Sequence, residues 1–414
     1  MATRYNAFPK GALAAAAAVA AVALVAGCGG GSSGSGGSGE TIKIGEIDSL
    51  TGASRTYGVP QHNGIQLAVD EINGKGGVTV GGTKYQLELT TEDDKSDPAT
   101  GVAAVQKLLS QDDSHFIVGT LSSEVASAYI PVIKNRDDVV NMVVGAAVAG
   151  ITDYPPVYRP RVTSAQYTPQ QVDFLDQLAK QSPITNVGIV YDQTHSGVVQ
   201  QLPVIKQKLA DGHYTVAAEQ AFDLSASTFD TQIAAVLRGG AQAVFFQGYA
   251  PDAATFVKQS RAAGYTGPII TAVGFTSKDV QNANVPSAAM NGVYDIGAPF
   301  PKDLVALGSD KASAAKTFAD AYQAKFNDEP GFTSASAYNG VYILAKALEQ
   351  ASSPKDYAGV KKALDGMKTT DVPNLAESII PQTAGEIFTA HQAYFQSAVH
   401  VWKDNTFQAT ALVG

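Results

Sequence analysis

Cysteine is nearly absent: 414 residues contain one, Cys28. The rest of the chain therefore has neither a disulfide framework nor thiolate metal ligands to stabilise it. Histidine is sparse as well. His62, His115, His195, His213, His391 and His400 are scattered, with no HxH, HExxH or CxxC spacing that would hold a metal. No Gly-x-Ser-x-Gly elbow and no glycine-rich phosphate loop occurs. These gaps argue against an enzyme, and no cofactor is expected. Basic residues are outnumbered, and a net charge of −9 argues against nucleic acid as a partner.

The apolar run near the start is too short for a membrane span. Gly11 to Ala26 is 16 residues, against roughly 20 for a spanning helix. It follows a basic n-region (Arg4, Lys10) and ends in Val25-Ala26-Gly27-Cys28, which looks like a bacterial lipobox. Residues 1–27 are thus expected to be a lipoprotein signal peptide, with Cys28 the lipidated residue and the membrane attachment. Residues 28–40 carry a linker made only of glycine and serine from Gly29 to Gly39. By random-coil scaling those eleven residues reach roughly 17–20 Å, enough to let a domain tumble beside a membrane.

What remains is longer than one hydrophobic core usually serves, so two lobes are expected. Strand-like and helical runs alternate. Ile42 to Ile47 reads as a strand, and Asn63 to Asn73 as a helix with Ile65, Ala68, Val69 and Ile72 on one face. Tyr85 to Thr91, Phe116 to Val118 and Val139 to Val144 follow as strands. Helices opening at Asp97-Pro98 and at about Ser123 lie between them. The pattern restarts with strands at Asn186 to Tyr191, Val216 to Ala221, Ala243 to Gln247 and Ile269 to Val273. Val198 to Leu209 between them reads as a helix kinked at Pro203. Alternation of this kind predicts an α/β fold with parallel sheets covered on both faces, in two successive lobes. The tail is richer in helix (Ala312 to Phe326, Ala337 to Ala351, Tyr357 to Met367). It ends in a hairpin pairing Ala393 to Val401 with Thr406 to Leu412. Ligands of open parallel sheets bind beyond the carboxyl ends of the strands. Six turns are therefore candidates: Ser49 to Tyr57, Gly119 to Glu124, Gly145 to Ala149, Asp192 to Gly197, Gly248 to Pro251 and Val273 to Ser277.

Those turns carry text that resembles one family. Leu50-Thr51-Gly52 with Tyr57-Gly58, Asp93-Asp94-Lys95-Ser96-Asp97-Pro98, Gly119-Thr120-Leu121-Ser122-Ser123, Val190-Tyr191-Asp192 and Gln247-Gly248-Tyr249-Ala250-Pro251-Asp252 stand in order from about residue 41 to 277. They are similar to the branched-chain amino-acid-binding (leucine-binding protein) family of type I periplasmic binding proteins. The resemblance implies two Rossmann-like lobes joined by hinge crossovers. The N-terminal lobe would be residues 41–163 plus about 297–380, and the C-terminal lobe 164–296 plus about 381–414. It further implies a monomeric, lipid-anchored, extracytoplasmic capture protein. Its partners would be a small-molecule solute and the permease and ATPase subunits of an ABC importer. By the same resemblance Ser122, Ser123, Ala146 and Ala147 form a first-lobe carboxylate site, and Tyr57 and Tyr249 wall the cleft. Ser123 also begins a helix, where free N–H groups favour an anion.

Three departures from the family pattern bear on the ligand. Val148 stands where amino-acid binders have threonine, Val273 where they have an acidic residue, and Ser196 where they have tyrosine. A buried ammonium without a partner costs several kcal/mol. The expected ligand is therefore a small acid or amide, aromatic or aliphatic, without an α-ammonium, walled by Tyr57, Val148, Tyr249, Val273 and Phe275. His195 is a further candidate donor. The alternatives are a branched-chain amino acid whose ammonium is met by Glu124, Glu46 or Asp48, a ligand sensor, or a structural envelope protein.

Overall fold

A computed structural model describes residues 40–413 except Ser378. The expected leader, Cys28 and all of the linker before Glu40 lie outside the described residues. The first round of elements is β1 (Thr41–Asp48), α1 (Arg55–Gly74), β2 (Val78–Val80), β3 (Thr83–Asp93), α2 (Pro98–Ser110), β4 (Phe116–Gly119), α3 (Ser123–Ile133), β5 (Val140–Met142) and β6 (Val157–Tyr158). They build a six-stranded sheet of order β2-β3-β1-β4-β5-β6. All its neighbours are parallel except the β2–β3 hairpin. Strand β4, Phe-Ile-Val-Gly, is buried at every position, as a strand covered by helices on both faces must be. Asp97 caps α2 by accepting from the Thr100 N–H, and Pro98 occupies the first turn where its missing N–H costs nothing.

The second round is α4 (Ser164–Ala179), β7 (Asn186–Asp192), α5 (Ser196–Val199), α6 (Leu202–Asp211), β8 (Thr215–Phe222), α7 (Asp230–Arg238), β9 (Ala243–Gln247), α8 (Ala250–Ala262), β10 (Ile269–Thr271), α9 (Ser277–Asn282) and β11 (Val293–Gly297). Pro203 does not kink one helix but divides two, because it sits in the first turn of α6. The chain then runs through α10 (Pro301–Ala306), α11 (Ala312–Phe326), α12 (Phe332–Leu348) and α13 (Tyr357–Asp365). Last come a short hairpin, β12 (Phe388–Thr389) with β13 (Gln392–Ala393), and the strands β14 (Ser397–Lys403) and β15 (Thr406–Val413). The second sheet reads β15-β14-β11-β10-β9-β7-β8, with β14 and β15 antiparallel at one edge. Asp404 and Asn405 both take positive φ (52° and 60°), as a two-residue hairpin turn requires.

The two sheets are two lobes, and the late helices belong to the first. Phe318, Tyr322, Ile343, Leu348 and Leu364 share one core with Ile42, Ile44 and Ile65. Helix α12 is buried from Thr333 to Leu348 except at Tyr342 and Lys346, so it is a central helix whose exposed strip is only those two residues wide. The hairpin β12–β13 and Phe395 also lie in this first-lobe core. The last crossing therefore falls after Phe395, later than the position near 380 expected from sequence. Stacking of His391 on Tyr158 (4.3 Å between rings) and backbone bonding of Arg159 to His391 and Ala393 hold that hairpin to the first lobe. The chain thus passes between lobes at 159–163, just beyond β11, and just before β14.

Helices α1 and α12 lie in close contact, and Gly64 permits it: a Cβ there would stand 2.2 Å from the Ser334 carbonyl oxygen. Gly64→Ala must push the helices apart, and overpacking of this kind costs about 1–3 kcal/mol. Thermal melts should show the variant less stable by that amount. An unchanged melting temperature would mean that the first-lobe core yields more easily than the backbone contact implies.

Candidate functional site

The carboxyl ends of the two sheets face one another, and a cavity lies between them. Each of the six candidate turns contributes to its lining: Tyr57; Leu121 and Ser123; Gly145 and Ala147; His195; Gly248 and Tyr249; and Val273. Tyr57 crosses from the first lobe to the second. Its hydroxyl accepts from the Ala250 N–H (2.8 Å) and donates to the Val273 carbonyl (2.8 Å). The Tyr57 ring lies 5.2 Å from that of Tyr249, which lies 4.9 Å from the His195 ring. Burial first, then the charge of Asp279, pushes the Tyr57 phenol well up, so it stays a neutral donor. Val273 therefore enters the site through its backbone as much as its side chain.

Ser122 is the cap of α3, accepting from the Val125 N–H (3.3 Å), and its hydroxyl donates to Glu124 (2.9 Å). Ser123 is the first residue of the helix, and its hydroxyl accepts from the Ala147 N–H (3.2 Å). The serine and the Ala146-Ala147 turn lie together, with that N–H already bonded. Val148 packs in the first-lobe core with Ile47, Val125 and Tyr129 instead of on the cavity wall. Phe275 is likewise withdrawn, stacked on Phe407 at 5.1 Å. Ser196 meets the first lobe through its backbone: its N–H donates to Glu124 (2.6 Å). Its hydroxyl is buried without a hydrogen-bond partner among the described residues. His195 accepts from the Val198 N–H through Nδ1 (3.2 Å), which places its proton on Nε2.

Among the described residues no aspartate or glutamate lines this cavity, although Asp279, Asp328 and Glu329 line an adjoining hollow that shares Tyr57 and Phe332 with it. Glu124, one of the three candidates from sequence, is spent on Ser196 and Ser122. Burial pulls its carboxyl up, but His195 and the Ser196 N–H outweigh this and hold it below the usual range. Glu46 is bonded to His62 (2.9 Å) and Thr91 (2.6 Å). Asp48 is fully buried behind the turn, and burial followed by the charge of Glu46 pushes its carboxyl well up. Neither reaches the lining.

Several lining residues had no sequence signal. Arg161, Ser164 and Tyr167 come from the first crossing and the start of α4, and Gln201 from the turn before α6. Phe332 opens α12, 275 positions after Tyr57 in sequence, with rings 6.2 Å apart. Behind Arg161 stands Glu377, buried and accepting from Ser336 (3.1 Å) and Asn339 (2.9 Å). Burial outweighs those bonds and pushes its carboxyl up to about 8.

Two parallel sheets meeting across an aromatic cavity, with three chain crossings between them, define a two-lobed solute-binding protein. Residues 41–402 match the family described as periplasmic binding protein. The chain belongs to that family, in its type I, branched-chain amino-acid-binding branch, whose members are extracytoplasmic solute-binding proteins. It is similar to the "Leucine-, isoleucine-, valine-, threonine-, and alanine-binding protein" of Pseudomonas aeruginosa, 27% identical over 317 residues, covering 75% of this chain and 79% of the relative. Among solved structures it is similar to a leucine-binding protein from Thermotoga maritima, with TM-score 0.76 and 20% identity, covering 90% of this chain and 99% of that one. It is also similar to an ABC transporter solute-binding protein from Rhodopseudomonas palustris BisB5 in complex with 3,4-dihydroxybenzoic acid. There the TM-score is 0.71 and the identity 21%, covering 90% of this chain and 97% of that one.

Because Glu377 holds its proton to about pH 8 when folded, against an ordinary value of 4.5, the folded state binds more protons than the unfolded one in between. Its contribution to stability is complete below 4.5 and is lost as the pH rises towards 8. Buried His400 is also raised, against its own burial, by its bond to Asp303, and adds a loss in the same direction above 6.5. The melting temperature should fall between pH 5 and 8, and Glu377→Gln should remove part of that fall. An equally steep fall in the variant would show that Glu377 is ionised throughout.

Proposed function

We propose that this protein is the lipid-anchored substrate-binding component of an ABC importer, and that its solute is a small acid or amide lacking an α-ammonium. The observation that carries this reading is the cavity lining: aromatic rings from both lobes, several hydroxyl and amide groups, and no carboxylate. An amino-acid ligand would bury its ammonium there without a counter-charge. Removing one partner of a buried pair costs about 3–5 kcal/mol, or roughly 10²- to 10⁴-fold in affinity. The carboxylates that would rescue an amino acid are bonded elsewhere, Glu46 to His62 and Glu124 to Ser196. The relative that holds 3,4-dihydroxybenzoic acid supports an aromatic acid in a cleft of this architecture.

In this reading Tyr57, Ser123, Ala147, Tyr249 and the Val273 backbone contact solute directly, while Ser122, Ala146, Val148 and Ser196 support the turns behind them. The protein acts as a monomer, binding without turnover. Cys28 carries the lipid, and the Gly29 to Gly39 linker lets the lobes reach the permease.

Isothermal calorimetry should show heat on titration with aromatic acids such as 4-hydroxybenzoate and none with leucine. Micromolar binding of leucine alone would refute the ligand class. Cys28→Ser should move the protein from the membrane to the soluble fraction of the producing cell. A variant that stays with the membrane has another anchor.

A further inference from the structure

We infer that Arg161 is the counter-ion for the solute's carboxylate, so that the ligand is taken up as an anion with its charged end at the hinge. This rests on the reading of the interlobe cavity as the solute site, and it moves the anion-binding role away from the Ser123 turn.

Arg161 lies on the first crossing segment and is only 7% exposed. A guanidinium carries five N–H donors. One of them, at Nε, is given to the Val162 carbonyl (2.6 Å). Among the described residues the terminal nitrogens make no hydrogen bond or ion pair beyond the Nε contact, and the side chain lines the cavity. Its guanidinium carbon stands 5.9 Å from the centre of the Phe332 ring. Buried charges are as a rule paired, because an uncompensated one loses its hydration without return. Arg159, two residues earlier and also buried, has no ion-paired counter-charge among the described residues either, but its guanidinium is hydrogen-bonded: it donates to the Val148 carbonyl (2.5 Å) and to Gln392 (2.5 Å). Arg161 has the burial and lacks the partners.

The surrounding groups do not supply the missing charge. Glu377 is the acid whose charge bears on Arg161, and its proton is held to about pH 8 by burial. The cavity lining holds no carboxylate. At the alternative anion site the Ala147 N–H is already spent on the Ser123 oxygen, which leaves only the Ser123 O–H to meet an anion there. A ligand carboxylate meets the planar fork of a guanidinium through two parallel N–H···O bonds. The Tyr57, Tyr249 and Phe332 rings are left to cover its apolar body.

The test compares acids with their neutral amides. Benzoate, 4-hydroxybenzoate, 3,4-dihydroxybenzoate and 4-methylpentanoate, each with its carboxamide, are titrated calorimetrically into wild type, Arg161→Gln and Arg161→Lys. The wild type should prefer at least one acid over its amide. Arg161→Gln should lose roughly 10²- to 10⁴-fold for that acid and change the amide by less than about fivefold. Arg161→Lys keeps the charge without the fork and should fall between the two; circular dichroism and melting curves establish that each variant is folded. Equal wild-type affinity for acid and amide, or acid affinity retained in Arg161→Gln, overturns the assignment of Arg161. If wild type binds leucine and no member of the panel, the proposed ligand class itself is wrong, and the assignment falls with it.

Discussion

The phenol of Tyr57 joins the lobes across the cleft. The backbone groups it satisfies, the Ala250 N–H and the Val273 carbonyl, lie just beyond the carboxyl ends of β9 and β10. When the lobes part, both must turn to water. When they close, one side chain from the opposite lobe takes both, at a net gain of about 0.5–1.5 kcal/mol per bond. The second interlobe contact works the same way: Glu124 of the first lobe accepts the Ser196 N–H at the start of α5. Ala149 and Gln200 add a third (2.8 Å). Closure is thus written largely in bonds between side chains and backbone, which are short in reach and sensitive to angle, with one exposed ion pair, Lys278 to Asp328 (3.3 Å), beside them. Such contacts define one closed geometry and hold it only modestly, leaving room for a solute to decide the balance.

The hinge is correspondingly over-determined. Gln392, from the β12–β13 hairpin, accepts from Arg159 and donates to the Arg161 carbonyl (2.9 Å), tying the first crossing to residues next to the third. Burial, with the neighbouring charge of Arg161, pulls the Arg159 guanidinium down to about 9, still cationic at neutral pH. On the other side of the hinge His400 in β14 bonds to Asp303 (2.8 Å) and to the Asp295 carbonyl (3.0 Å). Asp295 in turn accepts from the Val273 and Gly274 N–H groups, which shape a wall of the cleft. The polar groups buried at the crossings thus set where the walls stand.

How much of this was legible before any coordinates depended on the range of the interaction. Strands such as Ala243–Gln247 and helices such as Ala312–Phe326 are declared by local periodicity, and Asp97-Pro98 announces its helix through a cap. The six turns were readable because strand ends in a parallel sheet must converge. Helix α4 was not, since its polar sequence offers few buried apolar positions, Val172 and Leu175 among them. Nor were Arg161 and Phe332, whose meaning comes only from neighbours far away in the chain. Val148 misled for a related reason: the position lies at the turn, but its side chain points into the core below. Direction at a loop is a tertiary property, and an apolar residue there is drawn inward whenever a core is within reach.

The order in which the chain visits its lobes has a consequence for how the molecule comes into being. The first-lobe core needs α12, made after most of the second lobe, and the second sheet needs β14 and β15, made later still. Neither half can seal its apolar faces until those elements have been made. Both must wait for partners hundreds of residues downstream, an arrangement that slows folding through long loop closures. Truncation near residue 390 would therefore damage the second lobe directly, by stripping two strands from one edge of its sheet.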